Sequence, residues 1–128
     1  MKKYIFVVSL LCLLAACTGK RQGEAAAEVA ALPAVEDVVM YQVNPRVFAP
    51  EKSFKAVERR LDSIQTLGIN VVWFMPINEV GQEKSVNSPY CVKDYKGVNP
   101  EFGTLDEFKA LVATCHQKGM NVIIDWVA

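Results

Sequence analysis

The sequence predicts an α/β fold in which consecutive parallel strands are joined by helical crossovers. Three observations predict it. Two near-wholly apolar runs, Ile69 to Met75 and Val122 to Val127, suit strands covered on both faces of a parallel sheet. Each follows an amphipathic segment that ends in glycine. The stretches "LGINVVWF" and "KGMNVIID" repeat one device: helix end, Gly, an apolar residue, Asn, then a strand. Two such βα units plus a third strand form either a doubly wound sheet or a (β/α) barrel.

The chain begins with a segment that reads as targeting rather than fold. Lys2 and Lys3 precede an apolar run from Tyr4 to Leu14, and small residues lead into Cys17. The run is too short to span a bilayer and suits a signal peptide. Leu14-Ala15-Ala16-Cys17 resembles a bacterial lipoprotein box, in which the Cys becomes the lipidated first residue. The alternative is ordinary secretory cleavage nearby. Either reading predicts export, to the periplasmic side of the membrane or to the cell surface. Residues 18 to 35 lack aromatics and are rich in Ala, Glu and Gly, which predicts a flexible tether. The folded part is expected over residues 36 to 128.

Fourteen basic and fourteen acidic residues balance to a formal charge of zero. No basic field argues for nucleic acid. The turn after the first strand, Asn44-Pro45-Arg46-Val47, has no Gly-rich phosphate cradle. Cys12 leaves with the signal and Cys17 takes lipid, so Cys91 and Cys115 remain. A disulfide between them is permitted outside the cytoplasm, and two unpaired buried cysteines fit equally well. With one His and two ordinary cysteines, no protein metal cluster is expected.

Asp37 to Val43 is the first strand candidate. Ser53 to Leu67 is expected as one helix, because Phe54, Val57, Leu61, Ile64 and Leu67 recur at three and four residues. Gly68 should end it in a left-handed cap. Thr104-Leu105-Asp106-Glu107 is a capping-box signature with acids at the positive helix end. The helix it opens should bury Phe108, Leu111, Val112 and Cys115 and stop at Gly119. His116 falls late in that helix, near its C-terminal dipole or solvent.

Between these elements lies a connection from Pro76 to Thr104 that includes "SPYCVKDYKGVNPEFGT". Connections after a strand usually take roughly two to six residues. This one leaves the C-terminal edge of the sheet, where parallel folds carry their sites. It is therefore expected to be functional. Tyr90, Tyr95 and Phe102 offer aromatic faces suited to sugar rings or other amphipathic ligands, although packing under the helix start is the better reading of Phe102.

The stretches "VVMYQVNPRVF", "LGINVVWFMPI" and "SPYCVKDYKGVNPEFGTLDEFKALVATCHQKGMNVIIDWV" resemble the opening of an α-amylase family enzyme, glycoside hydrolase family 13. The resemblance covers Val38 to Ala128 in the right order and spacing. It implies a (β/α)8 TIM barrel, of which the chain carries about three strands and two helices, acting on α-glucans such as starch and maltodextrins. Position by position, Tyr90 matches the tyrosine that stacks on the sugar where the bond is cut. Asp94 matches an Asp expected first to order the loop and second to contact sugar. Asp125 matches the Asp that holds the active-site network together without transferring protons. Trp73 and Pro76 match a strand pattern that is mainly structural. Ser88-Pro89 and Cys91 depart from the family pattern around Tyr90.

The resemblance places no catalytic residue in this chain. The nucleophile Asp and acid/base Glu of the retaining mechanism follow strands 4 and 5, past Ala128. It also implies a structural calcium in the full-length enzyme, with no ligand within these 128 residues. Three strands of eight leave unpaired edges and a bare sheet face, so the fragment alone is expected to be inactive and to aggregate. Two alternatives stand beside the hydrolase: a non-catalytic glucan-binding lipoprotein module, and a transglycosylase or α-glucosidase of the same family.

Overall fold

The computed structural model describes residues 31 to 127. The signal segment, Cys17 and the first part of the tether lie outside them. A 3-10 turn at Val35–Asp37 leads into β1 (Met40–Val43), followed by a short helix α1 (Pro45–Phe48). Helices α2 (Ser53–Glu58) and α3 (Leu61–Gln65) carry the chain to β2 (Val71–Phe74). The long loop then reaches α4 (Leu105–Gln117) and β3 (Asn121–Ile124). The strands form one parallel sheet in the order β1-β2-β3.

The repeated device behaves as its residues require. Gly68 and Gly119 take φ of +78° and +74°, the left-handed region where a side chain is disfavoured. Yet Val71, one residue after Asn70, lies opposite Asn121. The two copies are thus staggered by one position. One step per strand accumulates to a shear of about eight over eight strands, the stagger of a (β/α)8 barrel. The stagger also turns the two asparagines to opposite faces. The Asn70 amide accepts from Val39 N at 2.8 Å and donates to Asp37 O at 2.7 Å, tying down the chain before β1.

The core lies on one face of the sheet. Val43, Val72 and Phe74 pack there against Phe54, Val57, Leu61, Phe108 and Leu111, all buried. Phe108 is its hinge point, with ring centroids 4.9 Å from Phe54 and 5.5 Å from Phe74. The opposite face carries Met40 and Ile123, 50% and 43% exposed. The capping box is present in full: Thr104 Oγ1 accepts from Glu107 N at 3.1 Å, and Glu107 Oε2 accepts from Thr104 N at 2.9 Å.

Expectations change at several elements, β1 among them: it begins at Met40 and not at Asp37, which closes a 3-10 turn. The helix over Ser53 to Leu67 breaks at Arg59–Arg60, where Arg60 N turns back to Val57 O at 2.8 Å. The buried stripe of Phe54, Val57, Leu61 and Ile64 crosses the break intact. Leu67 is 66% exposed, because α3 ends before it and the turn into Gly68 carries it outward. Val112 is only partly buried. Strand β3 is shorter than Val122 to Val127 and is not wholly buried; it is the edge of the described sheet, and Ile123 and Ile124 both show surface.

Candidate functional site

The long loop is ordered by its own polar groups. Asp94 Oδ1 accepts from Lys96 N at 2.9 Å, a local turn of the kind Asp favours. Asn78 Nδ2 donates to the carbonyls of Asp94 and Gly97 at 3.2 and 2.8 Å. An antiparallel bridge between Val80 and Val92 pinches the loop at its base. Gly81 N donates to Cys91 O, and Lys93 N donates to Glu79 O, both at 2.8 Å. The exposed Lys93–Glu79 ion pair beside it adds little.

This bracing delivers Tyr90 to the end of β3. The Tyr90 hydroxyl donates to Asp125 Oδ2 at 2.9 Å. From β2, the Trp73 indole N–H donates to Asp125 Oδ1 at 2.6 Å. Asp125 itself continues the ladder, its N–H donating to Phe74 O at 2.8 Å. Both carboxylate oxygens are therefore engaged, one from a strand and one from the loop. The bond to Asp125, with desolvation and the carboxylate's charge behind it, raises the Tyr90 phenol above its ordinary value.

The remaining residues sort around this pair. Tyr95 donates from its hydroxyl to Val127 O at 2.7 Å, and its ring lies 6.0 Å from Trp126. Tyr90 and Tyr95 stay 42% and 51% exposed, while Phe102 is buried edge-on against Phe54. Of the three aromatics, two face outward and one packs. The Asp94 carboxylate engages Lys96 in its own turn and is not brought to Tyr90 or Asp125. A cleft of about 640 Å³ opens elsewhere, among Arg46, Glu79, Gln82, Asn87 and Glu101. Tyr90 and Asp125 do not line it; they form a separate, partly exposed wall at the sheet edge.

Trp73 was expected to be mainly structural, yet it holds half of Asp125. Cys91 is exposed and Cys115 is buried, and both are free. Burial pushes the Cys115 thiol up to about 12. Among the described residues no three His, Cys, Asp or Glu side chains converge on one point. Those residues thus offer no cluster of acidic side chains of the kind calcium takes.

Comparison with known proteins decides the family. Residues 51–128 match the model of the alpha amylase catalytic domain. The chain belongs to the alpha-amylase family. Over 97 residues it is 32% identical to an oligo-1,6-glucosidase of Halalkalibacterium halodurans, covering 72% of this chain and 17% of that protein. Over 93 residues it is 36% identical to the amino acid transporter heavy chain SLC3A1 of Homo sapiens, covering 69% of this chain and 13% of that protein. A crystal structure of a noncanonic maltogenic alpha-amylase from Thermotoga neapolitana superposes with a TM-score of 0.67 at 32% identity, covering 71% of this chain and 23% of that one. The chain thus spans less than a quarter of the length of each of these alpha-amylase family relatives. Its three strands and their crossovers are the corresponding part of a (β/α)8 barrel.

Proposed function

We propose that this chain is the opening segment of the catalytic barrel of an exported hydrolase acting on α-glucans of the starch and maltodextrin type. The observation that carries the reading is Tyr90 fixed on Asp125 at the C-terminal edge of the parallel sheet. The Tyr90 ring offers a flat apolar face to the C–H face of a glucosyl unit. Its hydroxyl, held by Asp125, sets the plane of that ring before any sugar arrives, which lowers the ordering cost of binding. Asp125 acts as the anchor of the wall: with Trp73 and Tyr90 on its two oxygens, it is placed to hold position and not to move protons.

Cleavage with retention needs two carboxylates about 5 Å apart, one attacking and one donating a proton. In this reading an Asp and a Glu past residue 128 supply them, and the present segment contributes binding and orientation. The relatives named as oligo-1,6-glucosidase and maltogenic alpha-amylase support α-glucosidic bonds as the target. In the same reading Asp94 orders the loop and makes at most a peripheral sugar contact. Cys17 carries lipid and anchors the protein to the membrane. Incorporation of labelled palmitate, and its loss in Cys17→Ser, tests the anchor.

Reading the coding DNA past the Ala128 codon tests the enzyme. The expected continuation supplies an Asp and a Glu at later strand ends. A stop codon there contradicts the hydrolase. A second reading, in which the segment holds glucan without cutting it, rests on the exposed Tyr90 ring alone. Product analysis on starch, maltose and trehalose separates both from a transglycosylase or α-glucosidase.

A further inference from the structure

We propose that Arg46 is a positioning residue for Tyr90, a clamp from the first βα connection that fixes a left-handed segment of the second. The inference rests on the reading of Tyr90 as the sugar-facing residue. The segment is Lys84 to Asn87. Lys84, Val86 and Asn87 take φ of 53°, 47° and 58°. Asn tolerates that region, but a β-branched Val in it is a genuine outlier. Such backbone persists only where its surroundings over-determine it, and it gathers at ligand clamps and active sites.

The surroundings here are few. Within the segment, Ser88 N donates to Ser85 O at 2.9 Å and Asn87 N donates to Ser85 Oγ at 3.3 Å. Among the described residues, one hydrogen bond reaches residues 84 to 88 from a distant part of the chain: Arg46 Nη1 donates to Asn87 O at 2.7 Å. Arg46 is itself held. It sits in α1, whose first turn is capped by the Asn44 side chain accepting from Arg46 N at 3.1 Å, with Pro45 buried beside it. The Ser53 hydroxyl donates to Pro45 O and ties α1 to α2.

Three residues after Asn87 comes Tyr90. Its N–H meets Ser88 Oγ at 3.3 Å and its hydroxyl ends on Asp125. The ring is therefore strung between two fixed points, Asp125 at its tip and the Arg46-held carbonyl at its root. Releasing Arg46 frees the root, lets the left-handed run relax, and draws the hydroxyl off Asp125. The clamp is one N–H on one carbonyl, so a Lys of similar reach can replace much of it.

The test uses the protein expressed from its whole reading frame with ring-labelled tyrosine, read by carbon NMR. The Tyr90 signal is identified by its loss in Tyr90→Phe. Asp125→Asn marks where that signal goes when the hydroxyl bond is changed. Arg46→Met is expected to move it toward the Asp125→Asn position, with Arg46→Lys staying close to the parent. If Arg46→Met does not fold, Arg46→Gln, too short to reach Asn87, is read in its place. A Tyr90 signal unmoved by loss of the guanidinium, or moved equally by the Lys variant, overturns the proposal. The measurement reads no hydrolysis, so a parent protein that cleaves no α-glucoside sinks the proposed function and leaves this result standing.

Discussion

Tyr90 and Asp125, 35 positions apart in sequence, meet through a 2.9 Å hydrogen bond across the mouth of the sheet. The loop contributes the donor and the strand end contributes the acceptor. Trp73 completes the arrangement from the neighbouring strand at 2.6 Å. Removing either partner should therefore be felt by the other.

Tyr90→Phe keeps the ring and removes the hydroxyl. The bond is exposed to water, so the stability loss should be small. Tyr90→Ala also removes the stacking face. Titration with maltooligosaccharides should show weaker binding in both variants, with Ala much the worse. Equal affinities for the parent and Ala proteins would remove Tyr90 from the binding wall.

Cys115, Tyr90 and Lys55 keep their protons longer in the folded state than in the unfolded chain. Cys115 is pushed from an ordinary 9.0 to about 12 by burial, and Tyr90 is raised above 10.0 by its bond to Asp125. A raised folded value stabilises the fold fully below the unfolded value, and that stability is lost as pH rises through the folded one. Denaturant midpoints should hold up to about pH 9 and fall steadily toward 12. Cys115→Val should flatten the Cys115 part of that fall.

The same burial predicts thiol reactivity. Brief alkylation of the native protein at neutral pH should mark Cys91, which is exposed, and spare Cys115. Peptide mapping after denaturation should then find Cys115 newly modified. Equal labelling of both in the native state would contradict the packing of α4 on the sheet.

Phe54 is fully buried between Phe102 and Phe108. Phe54→Ala should cost about 3–5 kcal/mol, because α2, α4 and the loop end all lose a shared neighbour. Urea denaturation of the full-length protein reads this directly.

Expressed alone, residues 1 to 128 should be insoluble or molten. Met40, Ile123 and Ile124 expose apolar surface on a sheet whose outer strands have no further strand partner among the described residues. A soluble monomer with a sharp cooperative melt would contradict this.

What the sequence made legible follows from local chemistry. The Gly-x-Asn device placed both helix ends and two strands, because a left-handed cap admits few residues other than Gly. The capping box at Thr104 was readable for the same reason: its partners lie three residues apart. The break at Arg59–Arg60 was not, since the spacing of Phe54, Val57, Leu61 and Ile64 is the same with or without it. The partial exposure of β3 was not either, because burial of a strand depends on what packs over it. At the site, the resemblance named Tyr90 and Asp125 separately; the structure joins them through a hydrogen bond, and Asp94 accepts from Lys96 N within its own turn. The contacts of Trp73 and Arg46 were hidden: each reaches a partner far away in sequence, and neither stands in a local pattern that announces it.

The most direct test of the account is hydrolysis of maltooligosaccharides by the protein expressed from its whole reading frame, with the anomer of the first product followed by NMR. The account predicts release of the α-anomer, and a much weaker reaction in Tyr90→Ala. A well-folded protein that cleaves no α-glucoside, or one indifferent to the loss of Tyr90, would contradict it.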